Sequence, residues 1–244
     1  SAAQVKRITL ELGGNAPYIV FADADMDKAV DQLMANKFRG SGQTCVCANR
    51  ILVERSVAAE FSRRLVTRVN ALRLGNGLDD ATDIGPLVDR AGYEKVRHHL
   101  IDAMAKGAQL VTGAAADALP QLEKEWGGFF PPTVISGVNR SMACWNEEIF
   151  GPLVSIAEFD DDNDALLKAN DTEYGLAAYV FTQDAARAER FVDALHFQHV
   201  AWNTGTGPAP EAPFGGMKQS GYGREGGIEG LFEFVDVKTS PMGV

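Results

Sequence analysis

Apolar and polar positions alternate along this chain in short runs that change period. Ile8–Leu12 and Tyr18–Phe21 are apolar runs with strand-like composition, and both are expected to be short buried strands. Asp23-Ala24-Asp25 then offers an N-cap for a helix through about Phe38. Arg50–Glu54 is the next predicted strand. Ser56 is expected to cap a helix to about Leu72, with Phe61, Leu65, Val69 and Leu72 on one face. Arg90–Lys106 reads as a helix closed by Gly107, and His98 and His99 on it are expected to be solvated. Gln109–Thr112, Thr133–Ser136, Val154–Phe159, Ala177–Phe181 and His199–Asn203 read as strands, and Asp162–Asn170 and Asp184–Leu195 as helices. Residues 114–128 are expected to be a surface insertion, and a Gly/Pro-rich loop runs from the His199–Asn203 strand through Gly216. Leu231–Lys238 reads as a last strand that leaves the domain to pair elsewhere, since Phe232, Phe234 and Val235 need burial. This alternation predicts an α/β fold, a largely parallel sheet flanked by helices. In such sheets ligands are expected beyond the carboxyl ends of the strands.

Composition narrows the classes. The chain has 244 residues, ample for a hydrophobic core, and no apolar run nears the roughly 18 residues that span a bilayer. Lys plus Arg is 23 against 33 Asp plus Glu, and no basic cluster stands out, so neither nucleic acid nor an anionic membrane is an expected partner. The first residues hold no apolar signal-peptide core, which places the expected protein in the cytoplasm or an organelle matrix. Cys45, Cys47 and Cys144 are too few and wrongly spaced for a disulfide framework or a zinc site, and the four histidines fall in no metal pattern, so no metal is expected.

Two segments carry candidate chemistry. In Phe38-Arg39-Gly40-Ser41-Gly42-Gln43-Thr44-Cys45 a helix runs into small residues and then a thiol. Backbone N–H groups there would favour a thiolate and hold an oxyanion. A buried structural cysteine is the plainer alternative on the local sequence. In Glu11-Leu12-Gly13-Gly14 a carboxylate ends an apolar strand, where partial burial would tune it as a base. An ordinary exposed strand-end glutamate fits the same four residues.

Taken together, Glu11-Leu12-Gly13-Gly14-Asn15 and Phe38…Gly42-Gln43-Thr44-Cys45 resemble the glutamate and cysteine signatures of the aldehyde dehydrogenase superfamily. Glu147-Glu148-Ile149-Phe150-Gly151-Pro152, Trp202-Asn203-Thr204-Gly205 and Pro213-Phe214-Gly215-Gly216 extend the match, in order, from about Lys6 to the C-terminus. The resemblance implies a catalytic domain over residues 1–230 and an oligomerisation strand and tail over 231–244. It makes Cys45 the nucleophile, forming a thiohemiacetal and then a thioester, and Glu11 the general base. Glu148 would hold the nicotinamide ribose, Phe150 would pack beside it, and the Leu12 carbonyl would receive the carboxamide. Asn203 and Phe214 would wall the substrate channel. The cofactor would be NAD or NADP, bound mostly by a half that precedes the Glu11 motif. The chain starts ten residues before Glu11, so it is expected to be a catalytic-domain piece with weak activity of its own and, in the whole protein, a homodimer or homotetramer.

Lys37-Phe38-Arg39 through Arg50 resembles the succinate-semialdehyde dehydrogenases in particular, where the arginine matching Arg39 holds the distal carboxylate. These enzymes carry a serine where this chain has Pro208, with Thr206 as a nearby substitute. Glutarate or 2-oxoglutarate semialdehyde is the alternative substrate, and a cofactor-independent thiol acyltransferase or hydrolase the alternative class. Cys47, two residues from Cys45, would be a redox switch through a reversible disulfide with it.

Overall fold

The computed structural model describes residues 3–113, 115, 117–118 and 128–243, so the predicted 114–128 insertion lies almost wholly outside the described residues. The elements in chain order are β1 (Leu10–Glu11), β2 (Ala16–Val20), α1 (Met26–Lys37), β3 (Ala48–Glu54), α2 (Ala58–Val69), α3 (Arg90–Ala105), β4 (Gln109–Thr112) and β5 (Thr133–Ser136). There follow α4 (Ala143–Asn146), β6 (Leu153–Phe159), α5 (Asp162–Asn170), β7 (Tyr174–Gly175), β8 (Ala177–Phe181), α6 (Ala185–Ala194), β9 (His199–Trp202), β10 (Met217–Lys218), β11 (Gly221–Tyr222) and α7 (Gly227–Phe232). Seven strands form one sheet in the order β4-β5-β6-β3-β2-β8-β9, parallel except for the β4–β5 pair. The strands bury both faces, so β2, β3 and β8 read as continuous apolar runs. Helices α1 and α2 cover one face around Tyr18, Leu33, Phe61 and Phe181, and α3, α5 and α6 the other around Phe21, Tyr93, Phe159 and Phe191.

Helix signals in the sequence are honoured at most ends. Asp25, Asp89, Asp161 and Asp184 each accept a backbone N–H of the first turn they cap, and Gly107 turns the chain after α3 at φ +99°. Ser56 differs from expectation. Its hydroxyl donates to Glu54 Oε1 at 3.0 Å, and a 3₁₀ turn over Arg55–Val57 leads into α2 at Ala58.

Both chain ends depart from the predicted strands. Only Leu10 and Glu11 of the first run pair, with Tyr222 and Gly221, and Ile8, Leu10 and Leu12 are exposed. A two-residue ladder with one neighbour has no second layer to bury them. Leu231 and Phe232 finish α7 instead of opening a strand, and no strand includes residues 233–238 among the described residues. Phe232, Phe234 and Val235 stay 62%, 89% and 50% exposed. A strand needs a neighbouring edge for its N–H and C=O groups, and this chain offers none there. Arg7 ties the segment down, donating to Phe232 O at 3.2 Å and to Val235 O, and pairing with Asp236 at 3.3 Å.

Candidate active site

The chemistry-bearing residues gather at the amino ends of the strands, opposite to the predicted end. Glu11 to Gly14 precede β2, Cys45 precedes β3 and Glu148 precedes β6. Cys45 lies on the connection from α1 to β3, so α1 points its carbonyl end toward it. The turn Arg39–Gly42 that makes the connection holds Ser41 at φ +58° and Gly42 at φ +77°. A Cβ at residue 42 would lie 2.3 Å from Gly151 O, so glycine lets the loop before Cys45 press on the loop after Glu148.

The two signature motifs touch through backbone. A Cβ at residue 14 would stand 2.3 Å from Cys45 O. A Cβ at residue 13 would stand 2.8 Å from Glu148 Oε2, while Gly14 N–H donates to Glu148 Oε1 at 2.8 Å. Gly13 and Gly14 are therefore sandwiched between the Cys45 loop and the Glu148 carboxylate.

Cys45 is half-buried, and burial raises its thiol from the ordinary 9.0. The Glu11 carboxylate raises it further and Glu148 adds to this, while the N–H groups of Cys45 and Val46 lower it. The expected resting thiolate is thus disfavoured; the two N–H groups are outweighed by burial and by facing carboxylates. Glu11 is itself raised above 4.5, first by burial and then by Glu225, with which it shares a side-chain hydrogen bond. Sequence reasoning missed Glu225, which no motif of its own distinguished from a surface glutamate. Glu148 is raised by burial, against the Gly14 hydrogen bond and the charges of Lys95 and Lys37.

A cavity of about 270 Å³ is lined by Gln32, Asn36, Arg39 and Thr206, among others, and by Thr44 and Val46, the chain neighbours of Cys45. Arg39 is exposed, and its guanidinium makes no hydrogen bond or ion pair among the described residues. A larger concavity of about 940 Å³ lies over α5, lined by Trp145, Leu166 and His196 among others. It includes none of the predicted residues, whereas the smaller cavity includes Arg39.

The remaining predicted residues separate. Phe150 is exposed and held at φ +55°, a strained setting for a side chain of its size and one that marks functional loops. Phe214 is buried in the apolar cluster against which Cys45 packs. Leu12 N–H donates to Ser220 O at 3.0 Å. Asn203 is not among the cavity-lining residues: at φ +53° its amide accepts from Thr182 N–H at 3.2 Å and donates to Thr182 O at 2.9 Å, which fastens the turn after β9. Cys47 is buried and points inward, its Sγ 3.8 Å from Lys37 O and 3.6 Å from Ala48 O. Cys144 is buried and its thiol is pushed up to about 12 by burial. No group of three or more His, Cys, Asp or Glu that could hold a metal occurs among the described residues, and none of their helices is long and apolar enough to cross a membrane.

The chain is similar to known proteins along its length. The chain is 44% identical over 243 residues to the succinate-semialdehyde dehydrogenase (NADP(+)) GabD of Escherichia coli (strain K12), covering 100% of this chain and 49% of that protein. It is 44% identical over 237 residues to the glutarate-semialdehyde dehydrogenase of Pseudomonas putida, covering 97% and 48%. The crystal structure of an oxidoreductase from Marinobacter aquaeolei superposes with a TM-score of 0.94 at 58% identity, covering 99% of this chain and 49% of that one. The chain thus spans about half the length of the relatives it matches. Residues 1–240 match the profile described as Aldehyde dehydrogenase family, and the chain belongs to that family.

Proposed function

We propose that this chain forms the catalytic half of an NAD(P)-dependent dehydrogenase that oxidises a small aldehyde bearing a distal carboxylate, succinate semialdehyde foremost. The observation that supports the reading is the close packing of Gly14 on Cys45 O, with the Glu11 charge acting on the thiol and with Thr44 and Val46, on either side of Cys45 in the chain, lining a cavity. The Cys45 sulfur forms a bond to the aldehyde carbon as its proton passes to Glu11, and the new oxyanion takes the Cys45 N–H. A nicotinamide held beside Glu148 would supply the hydride acceptor that takes this adduct to the thioester. Glu11 first passes that proton to solvent, then takes one from water as the water attacks the Cys45 thioester; the thiolate leaves, the acid is released, and Glu11 returns its proton to the sulfur. A carboxylate raised above its ordinary value suits that task, because a base works best near the operating pH.

The residues fit the cofactor. Gly13 leaves open the space beside Glu148 Oε2 that a Cβ would fill, so this carboxylate can accept ribose hydroxyls while Gly14 steadies its other oxygen. Leu12 and Phe150 flank the same face in this reading. Arg39, without a partner among the described residues and on the cavity wall, would take the distal carboxylate in a two-pronged contact. Glutarate semialdehyde is the second substrate, since the glutarate-semialdehyde dehydrogenase relative is as similar as the succinate one. Residues 231–244 would act as the oligomerisation segment, their exposed apolar side chains meeting a second copy. Cys47 could engage Cys45 only after rotating out of its inward setting, so its switch role is a reading apart from catalysis.

The test is a substrate panel on the full-length polypeptide that contains this chain. Arg39→Ala should raise KM for semialdehyde acids about 100-fold and leave neutral aldehydes within about 3-fold. Equal effects on both classes would remove the carboxylate from the reading.

A further inference from the structure

Four residues after the nucleophile, Asn49 is buried and takes no part in the cavity. Its Nδ2 donates to Glu147 O at 3.0 Å and to Asn15 Oδ1 at 2.8 Å, and its Oδ1 accepts Ile149 N–H at 2.9 Å. Both backbone neighbours of Glu148 therefore hang on one amide. Asn15, also buried, donates to Trp145 O at 2.9 Å and directly follows Gly14, the residue whose N–H holds Glu148. Arg50 closes the group. Its Nε donates to Asn15 Oδ1 at 3.2 Å and its Nη2 to Asn15 O at 2.9 Å, while its remaining donors reach the last carbonyls of α5 at Lys168 and Ala169. Burying three such groups is costly unless each is satisfied, and here Asn49 and Asn15 are satisfied on the segment that carries Glu148, while Arg50 ties Asn15 to the end of α5.

We infer that Asn49, braced by Asn15 and Arg50, is a positioning residue that fixes the Glu148 carboxylate relative to the Gly14 and Cys45 backbone, and so presets the cofactor-side wall before NAD(P) arrives. The inference rests on the reading of Glu148 as the ribose partner. It implies that removing Asn49 acts through Glu148 and nowhere else in binding.

A double-mutant cycle on the full-length polypeptide, read as NAD(P) affinity by fluorescence titration, decides it. Asn49→Ala should weaken cofactor binding about ten-fold in the parent background, and less than about two-fold when Glu148→Ala is already present, with KM for the aldehyde unchanged in both. The same loss in both backgrounds, or an equal loss for aldehyde and cofactor, overturns the inference. Should Asn49→Ala fail to fold, Asn49→Asp keeps the shape and the Ile149 contact, removes the donors, and carries the same comparison. A second readout needs no cofactor. In this chain the Glu148 carboxyl, followed by carbon-13 NMR, should titrate higher in the variant, because the Gly14 hydrogen bond that lowers it is lost. An unmoved titration also overturns the inference. If the parent enzyme binds no NAD(P), the functional reading fails by itself, and the Glu148 titration still decides the positioning claim.

Discussion

The two ends of the central sheet are built by different means. At the carboxyl ends, Asp23 accepts Thr182 Oγ1 at 2.8 Å, Gln183 N–H at 3.0 Å and Asp184 N–H at 3.1 Å, and pairs with Arg187 at 3.3 Å. That is a polar cluster at the surface, where water can replace a lost partner. At the amino ends, Gly14 lies on Cys45 O and Gly42 on Gly151 O, with the asparagine pair buried behind them. Backbone rests on backbone there, and neither water nor a rotamer change can absorb a displacement. The carboxyl end should therefore tolerate chemical change at a cost in stability, and the amino end should lose function to a single methyl.

Gly14→Ala tests the stronger half of that contrast. The added methyl would need to sit 2.3 Å from Cys45 O, so the two motifs must part by about 1 Å. Misplacement on that scale costs about 100-fold in kcat/KM, which steady-state kinetics on the full-length enzyme would show. A variant within 3-fold of the parent would mean that the loops yield freely and that the packing argument is wrong. Asp23→Ala is the matching change at the other end. It strips acceptors from Thr182, Gln183 and Asp184 and should cost about 1–3 kcal/mol in urea unfolding. The iodoacetamide rate of Cys45 should stay as it was, and a changed rate would show that the two ends are coupled.

A smaller effect refines the electrostatics of the amino end. Glu11 is the second cause, after burial, of the raised Cys45 thiol. In Glu11→Gln the midpoint of the alkylation-rate profile against pH should move down toward 9.0, since a negative neighbour has been removed. A midpoint that rises, or does not move, would separate the two groups.

Much of this was open to reading in one dimension. The helices after Asp25, Asp89, Asp161 and Asp184 carry their caps next to apolar repeats, and the inner strands β2, β3, β5, β6 and β8 are buried runs that need no partner to be seen. Cys45, Glu11 and Glu148 were legible because each stands in a run of unusual neighbours, and the glycines in those runs turn out to be points of close approach. What stayed hidden is whatever depends on a distant partner. The end of the sheet that holds the site depends on which loops turn inward, which no local period records. Asn15, Asn49 and Arg50 look like solvated polar residues until three separate segments close over them. Leu231–Lys238 has strand composition, but strand pairing is a property of two segments, and this chain supplies one.

His99 shows the same limit and gives the last prediction. Read by polarity it belongs in water, yet it lies on the face of α3 with Val96, Leu100 and Ala103 and is fully buried. Its Nε2 is 3.0 Å from Glu147 Oε2, beside the residue that faces the cofactor in our reading, and its Nδ1 has no partner among the described residues. Burial lowers its pKa from 6.5, and the hydrogen bond and charge of Glu147 recover only part of that. The folded state thus holds the ring neutral, while the unfolded chain takes up a proton near 6.5. Stability from this group is whole above 6.5 and is lost as pH falls toward the lower folded value. The raised Glu11 and Glu148 act with the opposite sign as pH falls, and Asp102, Asp160 and Asp184 are lowered from 3.8 and titrate further down. The difference between parent and His99→Gln therefore isolates the ring. The gap in Tm between them should narrow as pH drops from about 7 to about 5, as the parent loses stability that the variant never had. A constant gap would mean that the ring keeps its proton balance on folding, and that its burial leaves no mark on the stability of the loop holding Glu147 and Glu148.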